Sequence, residues 1–278
     1  MKKINFFAIF MTVILLGFQS ISLGQALLDE NFAYPAGDLI TAHGWASHSG
    51  AGTQAITVAA SGLTFPGYID SGIGNAALVD NNGEDDNKTF TTQTSGVVYS
   101  SFMVNVTTSA LGYFYHFSVN PINTTFRGRV YMNTTNHFGL GVGSNAATYA
   151  AATFTPGTTY LLVLKYEIVP GTINDKVSLF VFDGPLPVVE PAIPTIGPLT
   201  DITQADINPG SVALRQFINT QNLTIDGIRV ATTWNDVLGN APQQIPTVSE
   251  WGLIFLVVAL MGIGVFYIVR RRNSALSV

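Results

Sequence analysis

The densest concentration of side chains able to do chemistry is Asp80-Asn81-Asn82-Gly83-Glu84-Asp85-Asp86-Asn87, a run dominated by carboxylates and side-chain amides. Their oxygens are the hard donors that calcium gathers, about six to eight at a time. Asp80, Asn82, Glu84 and Asp86 alternate, so an extended segment points all of them one way, and Gly83 permits a turn that brings main-chain carbonyls in. The spacing departs from an EF-hand loop, which ends on a bidentate glutamate absent here. The alternative to a calcium site is a solvated turn carrying charge for solubility, and both readings make residues 80–87 a loop. No other cofactor is indicated. His43 and His48, on either side of Trp45, have irregular spacing for a zinc pair and no evident third ligand, so they read as loop residues. His116 lies in Tyr113-Phe114-Tyr115-His116-Phe117, where alternation gives it a face shared with Phe114 and a place in the core or a cross-strand pair. A Gly-x-Ser-x-Gly elbow is missing and the chain has no cysteine, which removes two nucleophile designs, disulfides and thiolate metal sites. Tyrosine and tryptophan stack on sugar rings through flat apolar faces with polar edges. Trp45, Tyr68, Tyr131 and Trp234 are the candidates for such stacking, weighed against a sandwich core that buries every second residue of a strand.

The elements that must position these groups are strands. Residues 159–168 alternate, with Tyr160, Leu162, Leu164, Tyr166 and Ile168 on one face and Lys165 and Glu167 on the other, the period of a strand half open to water. Similar runs occur at residues 54–59, 63–65, 97–106, 113–119, 127–133, 137–142, 177–182, 212–217 and 223–233, separated by Asn-Gly, Pro-Gly and Asp-Gly turns. Helical periodicity is absent between them. The expected architecture is all-β, an antiparallel two-sheet jelly-roll sandwich. Residues 183–211 carry too many prolines for a central strand and read as a long surface connection, with one helical turn near residues 201–205. Between Gln25 and Gly239 there are seven basic and sixteen acidic side chains, a balance of −9. Such a surface repels phosphate backbones, and no basic cluster interleaves with aromatics, so nucleic acid is excluded as a partner.

Both ends of the chain have a different composition. Lys2 and Lys3, an apolar run to Phe18 and the small residues Ser22 and Gly24 have the pattern of a cleaved signal peptide over residues 1–24. At the other end Ile245-Pro246-Thr247-Val248-Ser249-Glu250-Trp251-Gly252 leads into an uncharged apolar run that ends at three arginines, Arg270 to Arg272. As a helix, residues 251–269 are about 28 Å long, close to the hydrocarbon thickness of a bilayer. The arginines favour the cytoplasmic side, which gives a transmembrane helix at 251–269 and a basic cytoplasmic tail at 270–278. Motif, span and basic cluster together resemble the IPTL-CTERM sorting tail, a relative of PEP-CTERM signals, with Val248 in place of the usual leucine. That resemblance implies a bacterial exported protein, insertion into the inner membrane, processing by an exosortase-type enzyme and delivery to the cell surface or extracellular matrix. The span and arginines alone are equally compatible with a permanent membrane anchor.

Ile225-Asp226-Gly227-Ile228-Arg229-Val230 resembles the closing strand of LamG-like, concanavalin A-like jelly rolls, and Leu27-Leu28-Asp29-Glu30-Asn31-Phe32 resembles their first strand. The resemblance covers residues 25–239 and implies that first and last strands lie together; residues 240–250 then form the linker and sorting motif. Glucanases of that fold carry Glu-x-Asp-x-x-Glu, which is absent here, so hydrolysis is disfavoured and no catalytic residue is assigned. The expectation is a binding or adhesion module for extracellular glycans, with a purely structural surface scaffold as the alternative.

Overall fold

The computed structural model describes residues 26–239 and 248–275, in two units divided between Ala241 and Pro242. The first unit is a sandwich of two antiparallel sheets. The larger sheet, of eight strands, runs β13 (Ile196–Leu199), β12 (Lys176–Phe182), β11 (Thr159–Ile168), β6 (Gly96–Thr108), β15 (Asn222–Ala231), β4 (Ala77–Val79), β3 (Thr57–Val58), with β1 (Leu28–Glu30) also on β15. The smaller, of seven, runs β10 (Thr148–Tyr149), β9 (Phe138–Gly141), β8 (Arg127–Met132), β7 (Gly112–Ser118), β14 (Ser211–Leu214), β5 (Asp85–Thr89), β2 (Ala46–Ser49). First and last strands of the sandwich do pair, Leu28 opposite Val230 and Glu30 opposite Ile228.

Apolar side chains of the two inner faces make the main core, with Phe102, Leu162 and Leu164 from the larger sheet and Phe117, Val130 and Leu140 from the smaller. A second apolar cluster lies on the far side of the larger sheet, where Tyr99, Met103, Leu161, Val163 and Phe180 meet Phe65, Trp234, Val237 and Leu238. The strand at 159–168 is therefore covered on both faces over Leu161 and Val163, not half open to water as its alternation suggests. Helix α1 (Trp234–Leu238) provides the cover. Thr233 caps it by accepting from the Asp236 amide, and Gly239 ends it in the left-handed region at φ 69°. The Ser101 hydroxyl donates to the Val237 carbonyl at 2.7 Å and ties the helix to β6.

Three local expectations are corrected. Residues 85–89 form β5, a strand despite its DDNKT sequence, because Asp86 pairs with Leu214 on one side and Ser47 on the other. Backbone pairing on both edges overrides a composition unfavourable to strands. Residues 63–65 lie outside the strands and pack Phe65 under the second cluster. The proline-rich connection contains β13, on the edge of its sheet, where Pro198 costs no shared ladder bond; residues 201–204 make a turn, the Gln204 amide donating to the Asp201 carbonyl at 3.1 Å.

The second unit is helix α2 (Val248–Ala275), which begins within the sorting motif. The signal peptide expected at 1–24 and the linker, with Ile245, Pro246 and Thr247, lie outside the described residues. The span expected at 251–269 is helical throughout, though the side chains at 251–253 and 255 also lie outside them. Among the described residues no helix is long and apolar enough to cross a membrane. Within α2, Leu260, Ile263, Val265, Phe266 and Ile268 are exposed apolar side chains.

Candidate functional site

The outer face of the smaller sheet gathers aromatic and cationic side chains from neighbouring strands. Val130 and Met132 of β8 point into the core, so Arg129 and Tyr131 point out; Val212 and Leu214 of β14 likewise leave Arg215 outside. Tyr113 of β7 lies opposite Tyr131 with ring centroids 5.5 Å apart. The Arg129 and Arg215 guanidinium carbons sit 4.6 and 4.1 Å from the Tyr113 ring centroid. Phe217 is 5.3 Å from Arg215, and Phe126 is 5.6 Å from Arg129. All these side chains are half-buried. At the β9 end the floor is glycine. A Cβ on Gly139 would come within 2.7 Å of the Tyr149 ring, and one on Gly141 within 3.0 Å of Tyr131, so the two tyrosines lie flat over backbone that only glycine leaves clear.

His116 belongs to this face, and a bulge puts it there. The register between β7 and β8 shifts on both sides of Tyr115, so Phe114, Tyr115 and Phe117 all enter the core and His116 is turned outward, opposite Gly128 and Arg129. The face shared with Phe114 that strict alternation implies is thereby lost. Phe126 stacks on His116 at 4.2 Å, and His48 stands edge-on to both. Burial holds the His116 imidazole well below its ordinary pKa and pushes that of His48 down to about 4, so both rings are neutral near pH 7. His116 Nε2, His48 Nδ1 and Arg129 Nε have no hydrogen-bond partner.

The cations of the sandwich divide sharply. Lys88 pairs with Glu30, Lys165 with Glu190 at 2.7 Å, Lys176 with Glu167 at 3.2 Å and Arg229 with Asp29 at 2.6 Å. Arg127, at the rim of β8, donates Nε to the Ala205 carbonyl and Nη1 to that of Phe126. Arg215 reaches Asp85 only at 4.0 Å, while Asp85 is engaged by the Gln216 amide and raised to about 6 by burial. Arg129 pairs with no carboxylate among the described residues.

The proposed calcium donors separate. Glu84 and Asp86 are buried, Asp80 is half-buried and Asn82 is exposed. Glu84 Oε2 accepts from the Gly52 amide, whereas Glu84 Oε1 and both Asp86 oxygens have no partner. Burial first, then the neighbouring Glu84 charge, raise the Asp86 carboxyl to about 8. Asp80 contributes its amide to Gln216 Oε1, which also takes that of Asn81. No group of three or more metal-capable side chains occurs among the described residues.

Of the four stacking candidates, only Tyr131 lies on an open face. Trp45, Tyr68 and Trp234 are core residues, 3, 4 and 6 % exposed. The Trp45 indole donates to Glu30 Oε2, the Tyr68 hydroxyl to the Gly227 carbonyl and the Trp234 indole to the Pro187 carbonyl, so their polar edges are satisfied internally. Arg129, Arg215, Phe126 and Tyr149 were not singled out by sequence. The usable signal was the alternation of Arg127-Gly128-Arg129-Val130-Tyr131-Met132, which sends Arg129 and Tyr131 to one face, beside the alternating glycines of Phe138-Gly139-Leu140-Gly141. A cleft of about 300 Å³ near Val169 and Asp206 offers less: its Asp175 and Asp206 already accept from the Tyr166 hydroxyl and the Asn174 amide.

No curated protein sequence matches the chain. Similar solved structures include the globular domain of T. cruzi calreticulin, 11 % identical, covering 85 % of this chain and 100 % of that one at a TM-score of 0.48. The endo-1,3-beta-glucanase from Streptomyces sioyaensis is 10 % identical, covering 77 % and 98 % at 0.47. The botulinum neurotoxin type G receptor binding domain is 7 % identical, covering 75 % and 48 % at 0.39. At the other end of the chain, residues 243–273 match the IPTL-CTERM motif.

Proposed function

We propose that the chain is an exported bacterial surface or matrix protein whose sandwich binds extracellular glycans without catalysis, through the outer face of the smaller sheet. The observation that carries this reading is the half-buried row Tyr149, Tyr131, Tyr113, the first two rings over Gly139 and Gly141 and the third against Tyr131. Flat, amphipathic rings held rigidly on strands match sugar faces at low entropic cost. Asp85, the carboxylate that meets Arg215 beside the row, is ion-paired there, and no Glu-x-Asp-x-x-Glu pair of the kind glycoside hydrolysis uses occurs in the sequence, which supports binding over cleavage. The IPTL-CTERM match supports delivery by an exosortase-type enzyme, with residues 251–269 inserted in the inner membrane and Arg270 to Arg272 on its cytoplasmic side. A glycan array probed with the full-length chain in detergent micelles tests the binding reading; retention of glycans is expected, and an empty array contradicts it. Mass spectrometry of native surface protein tests the tail: a C-terminus near Val248 is expected, and intact Arg270 to Arg272 would leave a plain anchor.

One further observation favours a separate ion. Asp86 is fully buried beside Glu84, a carboxyl pair whose oxygens receive no donor from elsewhere in the chain except the Gly52 amide on Glu84 Oε2, and a divalent cation would replace the proton the pair shares. We assign calcium to this pair, completed by main-chain carbonyls, in place of the four-residue set expected from alternation. At a hundredfold excess over its dissociation constant a native-state ion adds about 2.7 kcal/mol. Melting of the full-length chain in calcium and in chelator is therefore expected to differ, with no difference in Asp86→Asn; identical wild-type curves contradict the assignment.

A further inference from the structure

We infer that the ligand of the Tyr113–Tyr131 face is an acidic glycan, one bearing carboxylate or sulfate groups on its sugars. This rests on the glycan reading above and adds the charge of the ligand. A sandwich with a balance of −9 repels polyanions over most of its surface, so an anionic ligand needs a local exception. The pairing of its cations supplies one. Lys88, Lys165, Lys176 and Arg229 are each neutralised by a carboxylate, and Arg127 is committed to two main-chain carbonyls. Arg129, with no carboxylate partner among the described residues, and Arg215, which meets Asp85 only at 4.0 Å, are the exceptions, flanking β7 on the same face with guanidinium carbons 4.6 and 4.1 Å from the Tyr113 ring centroid. Stacking fixes a guanidinium plane while leaving N–H edges free, the geometry that grips a carboxylate or sulfate in bidentate fashion. Asp85 is the charged group that faces them, and it is placed at 4.0 Å from Arg215 only. His48 and His116 are neutral and oppose neither sign.

The arrangement also divides the work. Tyr131 and Tyr149, over the glycine floor, contact sugar rings; Arg129, on the strand of Tyr131, and Arg215, just past β14 two strands further on, read the acid groups. A neutral polymer would gain the first contact and not the second. An acidic one gains both.

The test compares polygalacturonate with its fully methyl-esterified form, polymers that differ in charge and hardly in shape, alongside heparin and dextran, using the full-length chain in detergent micelles. At least tenfold tighter binding of polygalacturonate or heparin than of the ester and dextran is expected, weakening as salt rises. Arg129→Gln with Arg215→Gln should abolish that preference, and Arg129→Lys with Arg215→Lys should keep part of it, with melting temperatures reported for both. Preference for heparin alone identifies sulfate as the group read, and for polygalacturonate alone, carboxylate; both uphold the inference. Equal binding of charged and neutral polymers, or a preference that survives the glutamine variant, overturns it while the glycan reading stands. Binding of no polymer here or on the array removes both.

Discussion

The two sheets of this sandwich treat their outer faces in opposite ways. On the larger sheet Tyr99, Met103, Leu161, Val163 and Phe180 are sealed under α1 and the 63–72 segment, and every aromatic there has a role in packing. On the smaller sheet Tyr113, Phe126, Tyr131 and Tyr149 stay half-buried, held by arginines, histidines and glycines without an apolar layer above them. Aromatic content alone therefore does not mark a binding face. What distinguishes the second face is aromatic rings fixed in place with their outer sides left uncovered and, beside them, cations opposed only by Asp85 at 4.0 Å from Arg215.

The contrast is broken or sharpened most strongly by truncating one ring from each face. Trp234→Ala removes the centre of the cover and is expected to cost about 3–5 kcal/mol in thermal or denaturant unfolding. Tyr131→Ala, over glycine and half open to water, is expected to cost about 1 kcal/mol or less. Equal losses would mean that the smaller sheet's outer face is a structural layer like the other.

Asp86→Asn probes the interior beneath the open face. The Asp86 carboxyl is raised to about 8, above its unfolded value, so the folded state binds its proton more tightly. Its contribution is complete at pH values below the ordinary carboxylate range and is lost as pH rises through about 8. In chelator, the stability difference between Asp86→Asn and wild type should grow from little at pH 4 to about 1–3 kcal/mol in favour of the variant at pH 9. Parallel melting curves across that range would contradict the buried unpartnered pair.

The smallest effect concerns His48. Its pKa is lowered to about 4, so its contribution is present above the ordinary histidine range and is lost as pH falls toward 4. His48→Gln should remove part of the acid lability, about 1 kcal/mol between pH 7 and 4, read from melts at the two values.

Strands with regular alternation were legible in the sequence: Thr159–Ile168 was read with its observed bounds, and β6, β7, β8 and β12 within a residue or two of theirs. What escaped was set by tertiary contacts. β5 is a strand because β14 and β2 pair with it, and its inward Asp86 and Lys88 hide the usual apolar period. α1 is short, but Thr233-Trp234-Asn235-Asp236 followed by Gly239 is a capping signal that sequence alone carries. The paired bulges around Tyr115 that send His116 outward and three aromatics inward leave no such signal, since alternation cannot show where it slips. For the site, aromatic residue type was visible and exposure was not; three of the four candidates are packed.

The central claim is that the smaller sheet's outer face, and not the covered one, is the binding surface. Its most direct test is the affinity of the full-length Tyr131→Ala, Tyr149→Ala variant for the glycan retained best by wild type on the array. Base stacking on an aromatic side chain contributes about 1–3 kcal/mol, and two sugar-stacking rings lost at the low end of that range predict a loss of at least tenfold, with the melting temperature changed only by the small cost expected for half-exposed tyrosines. Wild-type affinity in that variant would contradict the account.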